Sequence, residues 1–276
     1  MLAELKYDSI DEVPAETIPA AGVVWSGAME EARFELQLRA VAIPIALLGA
    51  WTAVHVGLFH MLMRTALTMW LHESGHAVTA WFCGLPAIPL PWKTPTAETR
   101  SPVFAAVIAA VLVALALRSW LSGDRLLAGV CGGLLVIQGI CTLASSLQSA
   151  HALVTFDGDA GAMVLGSLLM ATVYSPPGSV FYQGWLRWGF LIIGAAAFAD
   201  VFDTWWSARS NRDRIPFGEN EGVGLSDPSR LVEWYGWTIP ELVGRYIAVG
   251  VACLALLGVA YVVGLVRARA QLRAAL

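Results

Sequence analysis

The chain has 276 residues, 57% of them hydrophobic and only 14% charged, with a mean hydropathy of +0.65. A soluble domain carries about a quarter charged residues, so the polar surface here is too small to solvate a globule of this size, and lipid is the expected solvent. The net charge of −4 argues against nucleic acid as a partner, because a phosphate-binding face needs clustered Lys and Arg.

Residues 1–40 read as an acidic polar arm, with Glu4, Asp8, Asp11, Glu12, Glu16, Glu30, Glu31 and Glu35 against Lys6, Arg33 and Arg39. A short amphipathic helix is predicted near 28–40. The arm is not expected to be a signal peptide, which would begin with a basic patch and an apolar run. A membrane helix needs about 20 mainly apolar residues, and such spans are predicted at 41–62, 65–83, 102–120, 126–150, 182–206 and 241–266. The apolar stretch 160–173 follows the interruption Phe156-Asp157-Gly158-Asp159-Ala160-Gly161. Freed backbone groups at membrane depth must line a polar cavity or lie inside protein. The segment 126–173 is therefore read as one span broken in its middle and ended by Pro176-Pro177.

The expected fold is an all-α, polytopic helical bundle of about six spans. Its membrane core occupies 41–206, an extramembrane loop occupies 207–240, and a last helix with a basic tail occupies 241–276. The Pro-rich connection 84–101 is too apolar for an aqueous loop and is expected to re-enter or hug the membrane. The loop at 207–238 carries Arg209, Arg212, Arg214, Glu219, Glu221, Asp227, Arg230 and Glu233, with Trp234 and Trp237 as interface anchors. With six spans and a cytoplasmic N-terminus, nine basic residues fall inside and eight outside, so the positive-inside rule leaves orientation open. The four Cys contain no C-x-x-C pair and read as small buried hydrophobes.

The chemistry is concentrated in His72-Glu73-Ser74-Gly75-His76. Two His one helical turn apart stack on one face and can bind one zinc through neutral imidazoles. Glu73, beside that face, is placed to deprotonate a water whose pKa zinc lowers towards about 7. The alternative is a pair of structural His residues, but three ionisable groups in five positions of an apolar helix are costly without partners. A hydrolytic zinc wants a third protein ligand and an open position. Asp157 and Asp159, at the expected break, are the candidates; the competing role is a cap on helix 160–173.

The run HESGHAVTAWFCGLPAIPL at 72–90, followed two spans later by Asp157-Gly158-Asp159, resembles the site-2 protease family of intramembrane zinc metalloproteases. The resemblance covers about 65–173. It implies an endopeptidase of the cell membrane that cuts a membrane-spanning segment of a protein substrate. It also implies zinc held by His72, His76 and a third ligand from the Asp-Gly element, with Glu73 as general base. Asp157 precedes Gly158 as in the family, whereas Asp159 better matches the spacing to the next apolar run; Asp159 is favoured, with Asp157 as the alternate. The family's Asp-Gly usually follows Asn and Pro, and neither residue occurs in 103–156. His151 is a candidate hydrogen-bond partner or alternative ligand, or else an interfacial residue at a helix end. His55 and His60, five apart, are not expected to pair on a metal, and Asp200 and Asp203 are expected to be solvated at the interface. The competing reading of the whole is a non-catalytic membrane protein on the same scaffold. A metalloprotease class with Glu-x-x-x-Asp on a later helix does not fit, because Glu233 and Glu241 are followed at that spacing by Trp237 and Arg245.

Overall fold

The computed structural model of the chain describes residues 26–176, 178–220 and 224–274; the acidic stretch 1–25 and Pro177 lie outside the described residues. In chain order the helices are α1 (Ser26–Val54), α2 (Gly57–Met63), α3 (Met69–Phe82), α4 (Pro102–Leu121), α5 (Arg125–Gly139), α6 (Leu147–Ala171), α7 (Leu186–Ala208), α8 (Asp227–Glu233) and α9 (Ile239–Ala274). A π turn, Arg64–Thr68, joins α2 to α3, and a second, Ile140–Ala144, extends α5. Among the described residues the only strands are Glu219–Asn220 and Gly224–Leu225, which pair antiparallel.

The protein is an all-α membrane bundle. Among the described residues, five helices are long and apolar enough to cross a membrane: Met29–Val54, Pro102–Leu121, Arg125–Ala144, Leu147–Tyr174 and Ile239–Arg273. Their outer faces expose large apolar side chains such as Val103, Val107, Val111, Leu256 and Val259, which would be a liability in water and are at home in lipid. The starts of α4, α5 and α6 obey ordinary capping rules. Ser101 accepts from the Phe104 N–H ahead of Pro102, Asp124 from Leu127, and Ser146 from Ser149, each satisfying a donor that the first turn leaves orphaned.

Helix α6 is the centre of the bundle and packs against α3, α7 and α9. Its core side joins Phe156, Met163 and Met170 to Phe198 and Val201 of α7 and Leu242 of α9. Trp205, Tyr246 and Phe156 form a continuous aromatic stack, with ring centroids 4.0 Å and 4.4 Å apart, and the Tyr246 hydroxyl donates to the Phe156 carbonyl at 3.1 Å.

Several expectations are corrected. The fourth span is not broken at Asp157-Gly158-Asp159: α6 runs unbroken through these residues, and the interruption lies at Ser145–Ser146, where Ser146 caps a new helix. The two Asp are therefore not caps of a helix beginning at 160. The glycines that resemble a break serve close approach instead. A Cβ at Gly158 would lie 2.5 Å from His72 Cε1 and 2.6 Å from His76 Nε2, and one at Gly161 would lie 2.5 Å from Gly75 Cα. The 41–62 stretch divides at His55–Val56 between α1 and α2, and α1 continues back through the region expected to be a separate amphipathic helix. Asp200 is not interfacial but fully buried, at 0% exposure. The Pro-rich 84–101 segment folds as a hairpin-like loop, bridged at Ala87–Thr96 and Leu90–Lys93. It turns at Pro91-Trp92, where Trp92 takes φ +63°, a conformation that normally selects Gly.

Gly75 and Gly161 let α3 and α6 approach at backbone distance, so Gly75→Ala has nowhere to put its methyl. It is expected to lower stability by about 1–3 kcal/mol, read as a fall in thermal midpoint in detergent. Gly49→Ala, which opens onto free space, is the matched control and should leave the midpoint near that of the parent.

Candidate functional site

The α3 helix delivers His72, Glu73 and His76 to a cavity of about 850 Å³. The floor is the α3–α6 contact; one wall is the hairpin-like loop through Trp92 and Thr94, and another is the polar segment carrying Asp227.

The two imidazoles stand nearly perpendicular, with centroids 4.7 Å apart and an interplanar angle of 89°. Their Nε2 atoms face each other at 3.1 Å. Asp227 Oδ2 lies 3.1 Å from His72 Nε2 and 3.1 Å from His76 Nε2, closing a triangle of donor atoms. The outward nitrogens are both engaged: His72 Nδ1 with Asp159 Oδ1 at 2.9 Å, and His76 Nδ1 with the Val154 carbonyl at 2.6 Å. A carbonyl only accepts, and so does a carboxylate, so each Nδ1 is assigned the hydrogen and each neutral ring turns an Nε2 lone pair towards the triangle. Three lone-pair-bearing atoms converging in a buried site need a cation or protons between them.

The residues fit a metal. A tetrahedral zinc with bonds of about 2.0–2.1 Å sets its ligand atoms about 3.4 Å apart, close to the 3.1 Å edges seen here. Among the described residues, His72, His76 and Asp227 are the one group of three or more such side chains arranged to hold an ion. Hydrogen-bonded outer nitrogens are the usual second layer of such a centre, since they fix the tautomer and aim the ring.

Asp159 and Asp157, the residues expected to complete the site, do not join this triangle. Asp159 sits behind His72, and its other oxygen accepts the buried Trp205 indole N–H at 2.8 Å. Asp157 turns instead to Thr79 of α3, whose hydroxyl donates to it. The reason is helical geometry. An unbroken α6 holds Asp157 and Asp159 about 200° apart around its axis, so only one can face the histidines. That one reaches the ring from its outer edge. His151 lines the cavity, but its Nε2 contacts the Glu98 carbonyl at 3.0 Å, away from the triangle. Asp227 carries little signal in the sequence. Asp before Pro at the start of a short helix reads as an ordinary helix start, and only the fold-back of the polar segment brings it over α3.

Glu73 is 4% exposed and borders the cavity. The Thr94 hydroxyl lies 2.7 Å from Glu73 Oε2 and 2.9 Å from the Glu73 carbonyl, so the loop clamps one carboxylate oxygen and fixes its rotamer. His55 and His60 are apart from this centre: His60 Nε2 is 2.8 Å from Asp200, and His55 Nε2 is 3.8 Å from Asp203.

No protein-family model matches the chain, and neither a curated protein nor a solved structure matches it.

Proposed function

We propose that this membrane protein is a zinc-dependent endopeptidase that cleaves a membrane-spanning segment of a protein substrate. The reading is carried by one observation: the two Nε2 atoms and Asp227 Oδ2 stand 3.1 Å from one another beside a buried glutamate in a cavity. His72, His76 and Asp227 would hold the metal. When bound, zinc would act as a Lewis acid towards water and the scissile carbonyl. Glu73 takes the proton of the attacking water at its carboxylate as the new C–O bond forms, then returns it to the amide nitrogen as the C–N bond breaks. Thr94 steadies the oxygen that is not transferring the proton. Asp159 and the Val154 carbonyl keep the imidazoles aimed. A purely structural site would have no use for Glu73 at the cavity wall, which favours hydrolysis over the non-catalytic alternative.

Cleavage requires an extended substrate backbone, because a helical one hides its carbonyls in internal hydrogen bonds. The loop at 85–97 supports this reading, since it lays strand-like backbone along the cavity, where strand addition could hold such a chain. The test is to incubate the zinc-loaded protein with apolar membrane-segment peptides in micelles and weigh the products. Fragment pairs that together exceed the substrate by one water, lost on chelation and restored by zinc, are expected. Intact peptides throughout, with the metal bound, would sink the reading.

A further inference from the structure

Arg64 lies two helical turns before His72, and His60, Arg64, Thr68, His72 and His76 recur at every fourth position. This stripe faces α7 at its start and the cavity at its end. Asp200 of α7 is fully buried, His60 Nε2 lies 2.8 Å from it, and Arg64 Nη1 lies 3.4 Å from both of its oxygens. A carboxylate at this depth needs a counter-charge, but His60 is the nearer partner. An arginine whose sole role was to neutralise Asp200 would be expected to grip it at about 2.8 Å through two nitrogens. Here one nitrogen makes long contacts, Nε and Nη2 donate to none of the described residues, and the side chain is 36% exposed and borders the cavity with His72 and Glu73.

Two features at the same place point the same way. The π turn begins at Arg64 and ends at Thr68, and such widened turns concentrate at functional sites. Thr68 is 1% exposed, and its hydroxyl has no hydrogen-bond partner among the described residues, an uncommon condition for a buried polar group.

We infer that Arg64 is the substrate-positioning cation of the cavity, taking a backbone oxygen of the bound chain, with Asp200 and His60 as the tether that aims it. The inference rests on the peptidase reading of the site. The oxygen is either an internal carbonyl or a terminal carboxylate, and both present the acceptor that a guanidinium reads.

The test is equilibrium binding of fluorescent apolar peptides to full-length protein in micelles after zinc removal, so that binding is read without turnover. One peptide ends in a free carboxylate, and its twin ends in an amide. Arg64→Gln is expected to weaken binding at least tenfold while leaving zinc uptake at the parent level. Arg64→Lys is expected to recover part of the loss. A loss confined to the free-carboxylate peptide assigns a terminal carboxylate; an equal loss for both assigns an internal carbonyl. If Arg64→Gln misfolds because Asp200 is left short of charge, the Arg64→Gln/Asp200→Asn pair removes both charges and carries the same expectation. Affinities for both peptides within twofold of the parent in the folded variant would overturn the inference and leave Arg64 as a counter-ion of Asp200 and of nearby Asp159. A parent that takes up zinc yet holds neither peptide would also overturn it, while leaving the metal-site reading standing.

Discussion

Asp227→Ala is expected to strip zinc from the purified protein, Asp159→Asn to weaken its binding, and Asp157→Ala to leave it in place. Loss of an outer hydrogen-bond partner typically costs about 10–100-fold in metal affinity. Asp159 holds this outer position, 2.9 Å from His72 Nδ1, so its variant belongs in that range. Asp227 offers an oxygen to the triangle itself, and its removal is expected to cost on the order of a hundredfold or more, beyond the range for outer partners. Asp157 touches Thr79 and not the imidazoles, so its loss should be silent for metal. Zinc per chain, measured with a competing chelator, separates the three. Retention by Asp227→Ala together with loss in Asp157→Ala would return the third-ligand role to the Asp-Gly element.

Glu73→Gln is expected to keep about the parent's zinc and to lose about 10²–10⁴-fold in cleavage rate, the usual contribution of a positioned general base. The amide keeps the size of the side chain and can still accept from the Thr94 hydroxyl, which lies 2.7 Å from Oε2, so the loop stays seated. What it cannot do is accept a proton from water. Cleavage rate and metal content measured on one preparation decide the matter. A Glu73→Gln protein with bound zinc and the parent's rate would remove Glu73 from the chemistry.

Much of the fold was legible because the bilayer imposes a simple rule on sequence. Apolar runs near 102–120 and 241–266 had to be helices, since no other segment satisfies its own backbone in lipid, and α4 and α9 stand there; the run at 126–150 holds α5 and its π turn but breaks at Ser145–Ser146. The rule fails where helices bury one another. The α7 helix carries Arg187, Asp200 and Asp203, but Asp200 is fully buried rather than interfacial, because α2 and the π turn bring His60 and Arg64 to it. It also fails at Asp157-Gly158-Asp159, where glycine has two opposite uses. It can end a helix, or it can let one pass close to another. Nothing local separates the two; the imidazoles that a Cβ at Gly158 would strike arrive from a helix more than 80 residues earlier.

The sequence by itself determined that this is a helical membrane protein and that His72 and His76 share one face beside Glu73, because lipid solvation and the helical repeat act within a single segment. Only the tertiary structure decided what meets those side chains: Asp227 on the facing nitrogens, Asp159 behind His72 and Thr94 on Glu73. These partners lie between 21 and 155 residues away along the chain. Their meeting depends on how an unbroken α6 turns its residues and how the polar segment folds back, both of which are settled by packing between elements and not by the pattern within any one of them.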